Sequence, residues 1–182
     1  MSRNYKFHNQ EFPYFVTFTV VKWIDVFTRI EYRDILVESL KYCIKNKGLK
    51  LYAWVIMSNH VHLIIGTNDK PMQDILRDIK RHTSKTILKA IQENLQESRR
   101  DWLLWFFERE GRNNPGNEHF QFWQAGNHPI ELFGDKMIDQ KLDYLHNNPV
   151  IAGWVDKPEH FLYSSARDYA DDKGLIDIEL MC

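Results

Sequence analysis

From residue 12 to residue 21 the chain reads FPYFVTFTVV, with Thr17 and Thr19 alternating with Phe18 and Val20. Aromatic and β-branched residues at this period predict a strand. Phe15 and Val16 point to opposite sides of it, so only one of them is expected to face inward. Over residues 31–47, apolar positions at Ile35, Leu36, Leu40, Cys43 and Ile44 form a helical stripe, and Gly48 suits its stop. Residues 51–57, LYAWVIM, predict a buried strand, and residues 60–65, HVHLII, predict another, ended by Gly66. The turn signal Ser58-Asn59 between them makes the two a hairpin. Pro71 then opens a second helix running to about residue 95, with Ile75, Leu76, Ile79, Ile87, Leu88 and Ile91 on its apolar face.

The periodicity breaks after that. Around 92–125 the strongly apolar WLLWFF is followed by the loop-like GRNNPGNE, which reads as an insertion packed on a single domain spanning residues 1–182. Residues 128–132, HPIEL, predict a fourth strand, and residues 135–147 a third helix that Pro149 is expected to end. The first six elements follow the order β-α-β-β-α-β. That order predicts an α+β, ferredoxin-like fold: an antiparallel sheet with helices on one face, plus a C-terminal helix.

Composition narrows the partners. The formal net charge is −1, so nucleic acid would have to be held by a local basic track rather than by bulk charge. No apolar run approaches the ~20 residues of a membrane span, and MSRNYKFHNQ lacks the apolar core of a signal peptide. Cys43 and Cys182 form neither a metal-binding spacing nor a disulfide framework. A cytoplasmic protein without membrane attachment is the expectation. Aromatic residues make up 14% of the chain, enough for a core or for platforms that stack unpaired bases.

His60 and His62 flank Val61 on a predicted strand, so both imidazoles share one face while Val61 turns to the core. Two imidazoles so placed can share a metal ion, although two half-exposed histidines at a strand start would look the same. Tyr144 and Asn148 are four apart near a helix end and project from one side. One could attack while the other helps hold a metal. By themselves, a packed tyrosine and an asparagine capping before Pro149 explain them equally.

In combination the segments WVIMSNHVHLII, LDYLHNNPVIAGWV, YSSARDY and the basic IKRHTS of residues 79–84 resemble a known family. The chain resembles the single-tyrosine HUH transposases, and within them the REP-associated tyrosine transposases, from the first strand to about Tyr169. The resemblance implies cleavage and rejoining of single-stranded DNA near hairpins, with the C-terminal helix as the catalytic one. It makes Tyr144 the nucleophile and His60, His62 and Asn148 the ligands of a divalent metal, Mg2+ or Mn2+. Some relatives carry glutamine where Asn148 stands, and Asn147 is adjacent. Related enzymes of the insertion-sequence type work as homodimers, whereas the REP-associated type can act alone, so both states stay open.

The chemistry is consistent with those roles. A cation on the phosphate oxygens withdraws charge that would repel a nucleophile. A 5′-phosphotyrosine conserves the bond energy, so a DNA 3′-hydroxyl can reverse the step without ATP. Arg77, Lys80, Arg81, Ser84 and Lys85 on the second helix, with Arg3 and Lys6 before the first strand, are the candidate phosphate contacts, against an ordinary solvated face. Phe122, Trp123 and His128 are candidate stacking residues, with core packing the stronger reading for each. Two other functions compete. One is a domesticated palindrome-binding DNA protein without transposition activity. The other is a zinc hydrolase, disfavoured because no HExxH helix is present.

Overall fold

Strand β1 (Tyr14–Thr19) lies in the middle of the sheet because both its neighbours find apolar partners on it. A computed structural model describes residues 7, 9–68, 70–114 and 119–181. After β1 come α1 (Ile30–Lys47), β2 (Leu49–Ile56), β3 (His60–Thr67), α2 (Met72–Glu93), α3 (Arg100–Arg112), β4 (Ile130–Glu131) and α4 (Gly134–Ile151). The sheet order is β2-β3-β1-β4 with every pairing antiparallel, the arrangement expected of the ferredoxin-like α+β class. Gly48 caps α1 in the left-handed region at φ 71°, a conformation that favours glycine.

The β1–β3 register divides the residues between two faces. Val16 pairs with Leu63 and Phe18 with Val61, and these side chains turn to α1 and α2, where Leu36, Leu40, Ile75, Leu76 and Ile79 are also buried. Phe15 pairs with Ile64, Thr17 with His62 and Thr19 with His60 on the opposite face, over which α4 lies. This corrects the expectation that only one of Phe15 and Val16 is inward. Both are buried because helices cover both sides of the sheet rather than one.

Two boundaries also differ from expectation. Helix α4 passes through Pro149 to Ile151. A proline in the last turn costs a single donor, and the amides of Ala152, Gly153 and Trp154 supply the carbonyls of Asn148, Val150 and Pro149. Strand β4 is only two residues long. The rest of the β1 edge is served by the preceding loop: Thr17 N–H donates to the Asn127 carbonyl, Gln124 N–H to Thr19, and Val21 N–H to Phe122.

Within the stretch 92–125, α3 and residues 122–123 pack onto the same core. Leu103 and Phe107 of α3 are fully buried, and Phe107 packs on Phe122, which meets Trp123 against Phe18 and Phe27. The buried Glu97 accepts from Arg29 Nε at 2.7 Å and Arg99 Nε at 3.3 Å. Arg99 also donates to the Asp25 carbonyl at 2.8 Å, so this region grips the loop before α1. On the far edge, residues 163–165 cover β2, with Ile56 N–H donating to Tyr163 and Ser165 N–H to Trp54.

Phe107→Ala is expected to lower the unfolding free energy by about 3–5 kcal/mol, the cost of a buried phenyl cavity. Urea titration followed by circular dichroism measures it. A loss near zero would mean that α3 is an appendage and not part of the core.

Candidate functional site

His60 and His62 open β3 on the face toward α4, with ring centroids 4.7 Å apart. Thr17, directly across the ladder from His62, places Oγ1 2.8 Å from its Nδ1, and Phe15 stacks on the ring at 5.1 Å. His62 is 5% exposed, and its buried Nε2 meets no hydrogen-bond partner among the described residues. Burial first, then the charges of His60 and Lys141, push this imidazole down to about 3, so it is neutral at ordinary pH.

His60 is half-buried, and its Nδ1 lies 2.7 Å from Asn59 Oδ1. The Asn59 amide nitrogen donates to the Trp23 carbonyl at 3.2 Å and to Asp25 Oδ1 at 3.0 Å. Its oxygen is thus left to accept. His60 Nδ1 therefore carries the ring proton, and its Nε2 holds a lone pair. Burial lowers the His60 pKa, with the Asp25 charge opposing. Both rings are held through Nδ1, the arrangement that orients metal-ligating histidines.

Tyr144 projects from α4 with 47% of its surface exposed, its ring 5.4 Å from His62 and 6.0 Å from Phe15. Lys141, one helical turn earlier, lies over the same two rings, its Nζ 5.0 Å from the Phe15 centroid and 5.6 Å from that of Tyr144. Asn148, one turn later on the same strip, donates its Nδ2 to the Tyr144 carbonyl at 2.8 Å, which leaves Oδ1 available as a ligand. Asn147 makes the equivalent bond to Asp143.

The donor set fits a divalent cation: two neutral imidazoles, one with an orphaned buried nitrogen, and an amide oxygen. Among the described residues no three His, Cys, Asp or Glu side chains gather as a metal site, so an acidic or third imidazole ligand is not supplied.

The candidate DNA contacts lie elsewhere. Arg77, Arg81, Ser84 and Lys85 sit on α2, across the sheet from the histidines. Arg77 is paired with Asp74, and the Ser84 hydroxyl donates to the Arg81 carbonyl. Lys80 is half-buried and donates to the Gln124 and Gly126 carbonyls at 2.8 and 2.9 Å and to Asn127 Oδ1 at 3.1 Å. Those bonds use its three protons, and burial lowers its pKa to about 8. Lys80 thus fastens the 124–127 loop. Arg3 and Lys6 lie outside the described residues. Phe122 and Trp123 are buried in the core, where Trp123 Nε1 donates to Thr83 Oγ1, while His128 is exposed.

Sequence reasoning does not find Thr17, Asn59, Asp25, Lys141 or Trp23. Lys141 is legible in principle, because i and i+3 share a helix side with Tyr144. The Thr17 partnership needs the strand register, and the Asn59–Asp25 link needs a contact between distant segments. Trp23 packs edge-on to His60 with centroids 5.6 Å apart, and both it and Lys22 have positive φ, 59° and 54°. Each such non-glycine residue costs on the order of 1–3 kcal/mol.

Comparison with known proteins gives a family. The family described as "Transposase IS200 like" matches residues 11–107. Among solved structures, a REP-associated tyrosine transposase bound to a REP hairpin superposes with a TM-score of 0.66 at 15% identity, covering 98% of this chain and 92% of that one. A candidate transposase from Deinococcus radiodurans gives a TM-score of 0.46 at 16% identity, covering 81% and 95%. No curated protein sequence matches the chain.

Buried neutral histidines make stability depend on pH. Burial depresses His62 to about 3 and His146 to about 4, against an ordinary 6.5, so the unfolded chain takes up their protons first. Their contribution is complete above pH 6.5 and is lost as pH falls toward 4 and then 3. In metal-free buffer, denaturant midpoints should already decline between pH 6.5 and 5, before most carboxylates titrate. The slope should approach about 1.4 kcal/mol per pH unit for each histidine. A flat profile across that window would show that the rings are not held neutral.

Proposed function

The chain belongs to the IS200-like transposase family, and on that premise we propose that it cuts and rejoins single-stranded hairpin DNA through a covalent link to Tyr144. One observation carries the reading: the accessible Tyr144 ring stands beside His62 and the His60–His62 pair on a single sheet face. The fold match to a transposase bound to a REP hairpin supports hairpin DNA as the partner. Among the described residues no helix is long and apolar enough to cross a membrane.

In the proposed reaction the Tyr144 oxygen attacks the scissile phosphorus and the DNA O3′ departs. The phenol gives up its proton and the departing oxygen gains one, which leaves a 5′-phosphotyrosine and a free 3′-hydroxyl. Attack by a second 3′-hydroxyl reverses the exchange and frees Tyr144, so no energy source is consumed. His60, His62 and Asn148 would hold a divalent ion, Mg2+ or Mn2+, which supplies charge stabilisation at the phosphate oxygens when bound. Thr17 and Asn59 keep the two imidazoles turned with Nε2 outward from their anchoring bonds. Lys141 brings positive charge to the Tyr144 ring, where the phosphate dianion-like transition state would gather charge. Arg77, Arg81, Ser84 and Lys85 remain the proposed phosphate contacts, together with Arg3 and Lys6, which lie outside the described residues.

Tyr144→Phe removes one oxygen from a half-exposed ring and should leave folding and hairpin binding unchanged. Incubated with single-stranded hairpin DNA and Mn2+, then run on a denaturing gel, it should give no covalent adduct where the unmutated protein gives one. An adduct in the variant would assign the nucleophile elsewhere; binding without any adduct from the unmutated protein would leave a palindrome-binding protein.

Thr17→Val keeps the shape of β1 but strips His62 of its Nδ1 partner. Cleavage should fall roughly 10- to 100-fold, the usual cost of removing a group that orients a ligand. Hairpin affinity, measured by gel shift, should hold within about twofold, since phosphate contacts set it. Parallel losses in affinity and cleavage would instead indicate a structural role for Thr17.

A further inference from the structure

Trp23 stands beside His60 in a strained backbone conformation. It is 56% exposed, yet it and Lys22 before it hold left-handed backbone conformations that bulky side chains rarely adopt. The strain is held in place on every side. Val20 N–H donates to the Asn59 carbonyl, Val21 N–H to Phe122, and Trp23 N–H back to Val20. The Trp23 carbonyl accepts from Asn59 Nδ2 at 3.2 Å, the same amide whose oxygen meets His60. The framework therefore fixes the backbone while leaving the indole in solvent, edge-on to His60 at 5.6 Å.

An exposed tryptophan alone needs no explanation. Trp102 and Trp105 are exposed as well, but they ride on the ordinary helix α3 and lie against Phe106 and Arg109. Trp23 differs in being pinned, at a conformational cost, to the residue that orients a proposed metal ligand. Strain held by surrounding structure collects where a side chain must be presented in one place.

We propose that Trp23 is a stacking platform for an unpaired base adjoining the phosphate held at His60 and His62, with exposed Lys22 beside it for the neighbouring phosphate. This rests on the single-strand cleavage proposed above. An indole face accepts any nucleobase without hydrogen-bond readout, so the platform fixes the position of the strand and leaves sequence choice to other contacts. Its edge contact with His60 sets the stacked base within a nucleotide of the proposed scissile position. The ligand class is thus an unpaired nucleotide flanking the hairpin, and not the hairpin duplex itself.

The test uses the full chain with a DNA hairpin bearing short mixed-sequence single-stranded flanks, and the same hairpin with blunt ends. Trp23→Ala should bind the flanked hairpin about tenfold more weakly and the blunt one unchanged, while Trp23→Tyr stays within about threefold of the parent. Thermal melting verifies that each variant is folded. One abasic substitution, moved along the flank, should weaken the parent at a single position and leave Trp23→Ala indifferent there. Equal flank binding by Trp23→Ala and the parent, or equal abasic sensitivity at every position, would overturn the platform. The adduct assay separates the two ideas: flank binding that needs Trp23 without any adduct supports the platform and removes the cleavage reading, whereas adduct formation with no Trp23 dependence of flank binding does the reverse.

Discussion

The cross-strand pairing of Thr17 with His62 fixes where the candidate site lies. Side chains alternate along β3, so the position of Val61, Leu63 and Ile65 against α1 and α2 forces His60, His62 and Ile64 to the other face. A slip of one residue would exchange the two sets. Each large apolar side chain kept from water contributes about 1.5–3 kcal/mol. Three on β3 alone outweigh the roughly 1–3 kcal/mol of leaving the His62 Nε2 buried without a partner. The core thus holds the imidazoles where they are, although one of them is unsatisfied there.

Orientation is added from outside the sheet. Asn59 links His60, the Trp23 carbonyl and Asp25, while Arg99 holds the Asp25 carbonyl and the buried Glu97 holds Arg99. A run of hydrogen bonds therefore leads from the segment preceding α3 to the imidazole of His60. Arg99 reaches both Glu97 and the loop that carries Asp25, so residues 97–99 are linked by hydrogen bonds to the surroundings of His60. On the other side, Leu142, Leu145 and Pro149 anchor α4, and the neighbouring strip of Lys141, Tyr144 and Asn148 lies at the margin of that packing, beside Phe15 and His62.

Much of this arrangement is legible in the amino-acid sequence alone. Period-two and period-3.6 patterning locates the strands and the helices on either side of the hairpin, and alternation places both histidines on one face. The sequence is silent where the outcome depends on distant segments. Phe15 and Val16 are both buried because α4 covers a face that local pattern leaves open. Pro149 stops no helix because the following amides meet the carbonyls of the last turn. The apolar WLLWFF reads as part of a segment packed on the domain, but nothing local reveals that Phe107 meets Phe122 beneath Trp123. Tyr144 and the histidines carry a recognisable pattern, but the partners that orient them, Thr17 and Asn59, are common polar residues whose meaning emerges only with the register and the turn geometry.

Charge placement bears on how DNA would lie. With a net charge of −1, attraction cannot be spread over the whole surface. Lys80, the innermost cation of α2, commits its three protons to the 124–127 loop, and Arg77 is engaged by Asp74. The remaining α2 cations belong to the helix layer, while Lys141 and Lys22 belong to the sheet face of Tyr144 and His60. A hairpin touching only one side would meet only one of these two groups. On the proposed function, DNA held at α2 and a scissile strand at Tyr144 would be joined past the side of β1 that the short β4 and the 122–127 loop close. A duplex resists turning from one face of a sheet to the other within so short a distance, which on that reading favours an unpaired strand there. A strand so exposed would need positional contacts of its own, and Trp23 at the sheet rim beside His60 is an exposed ring placed to offer one.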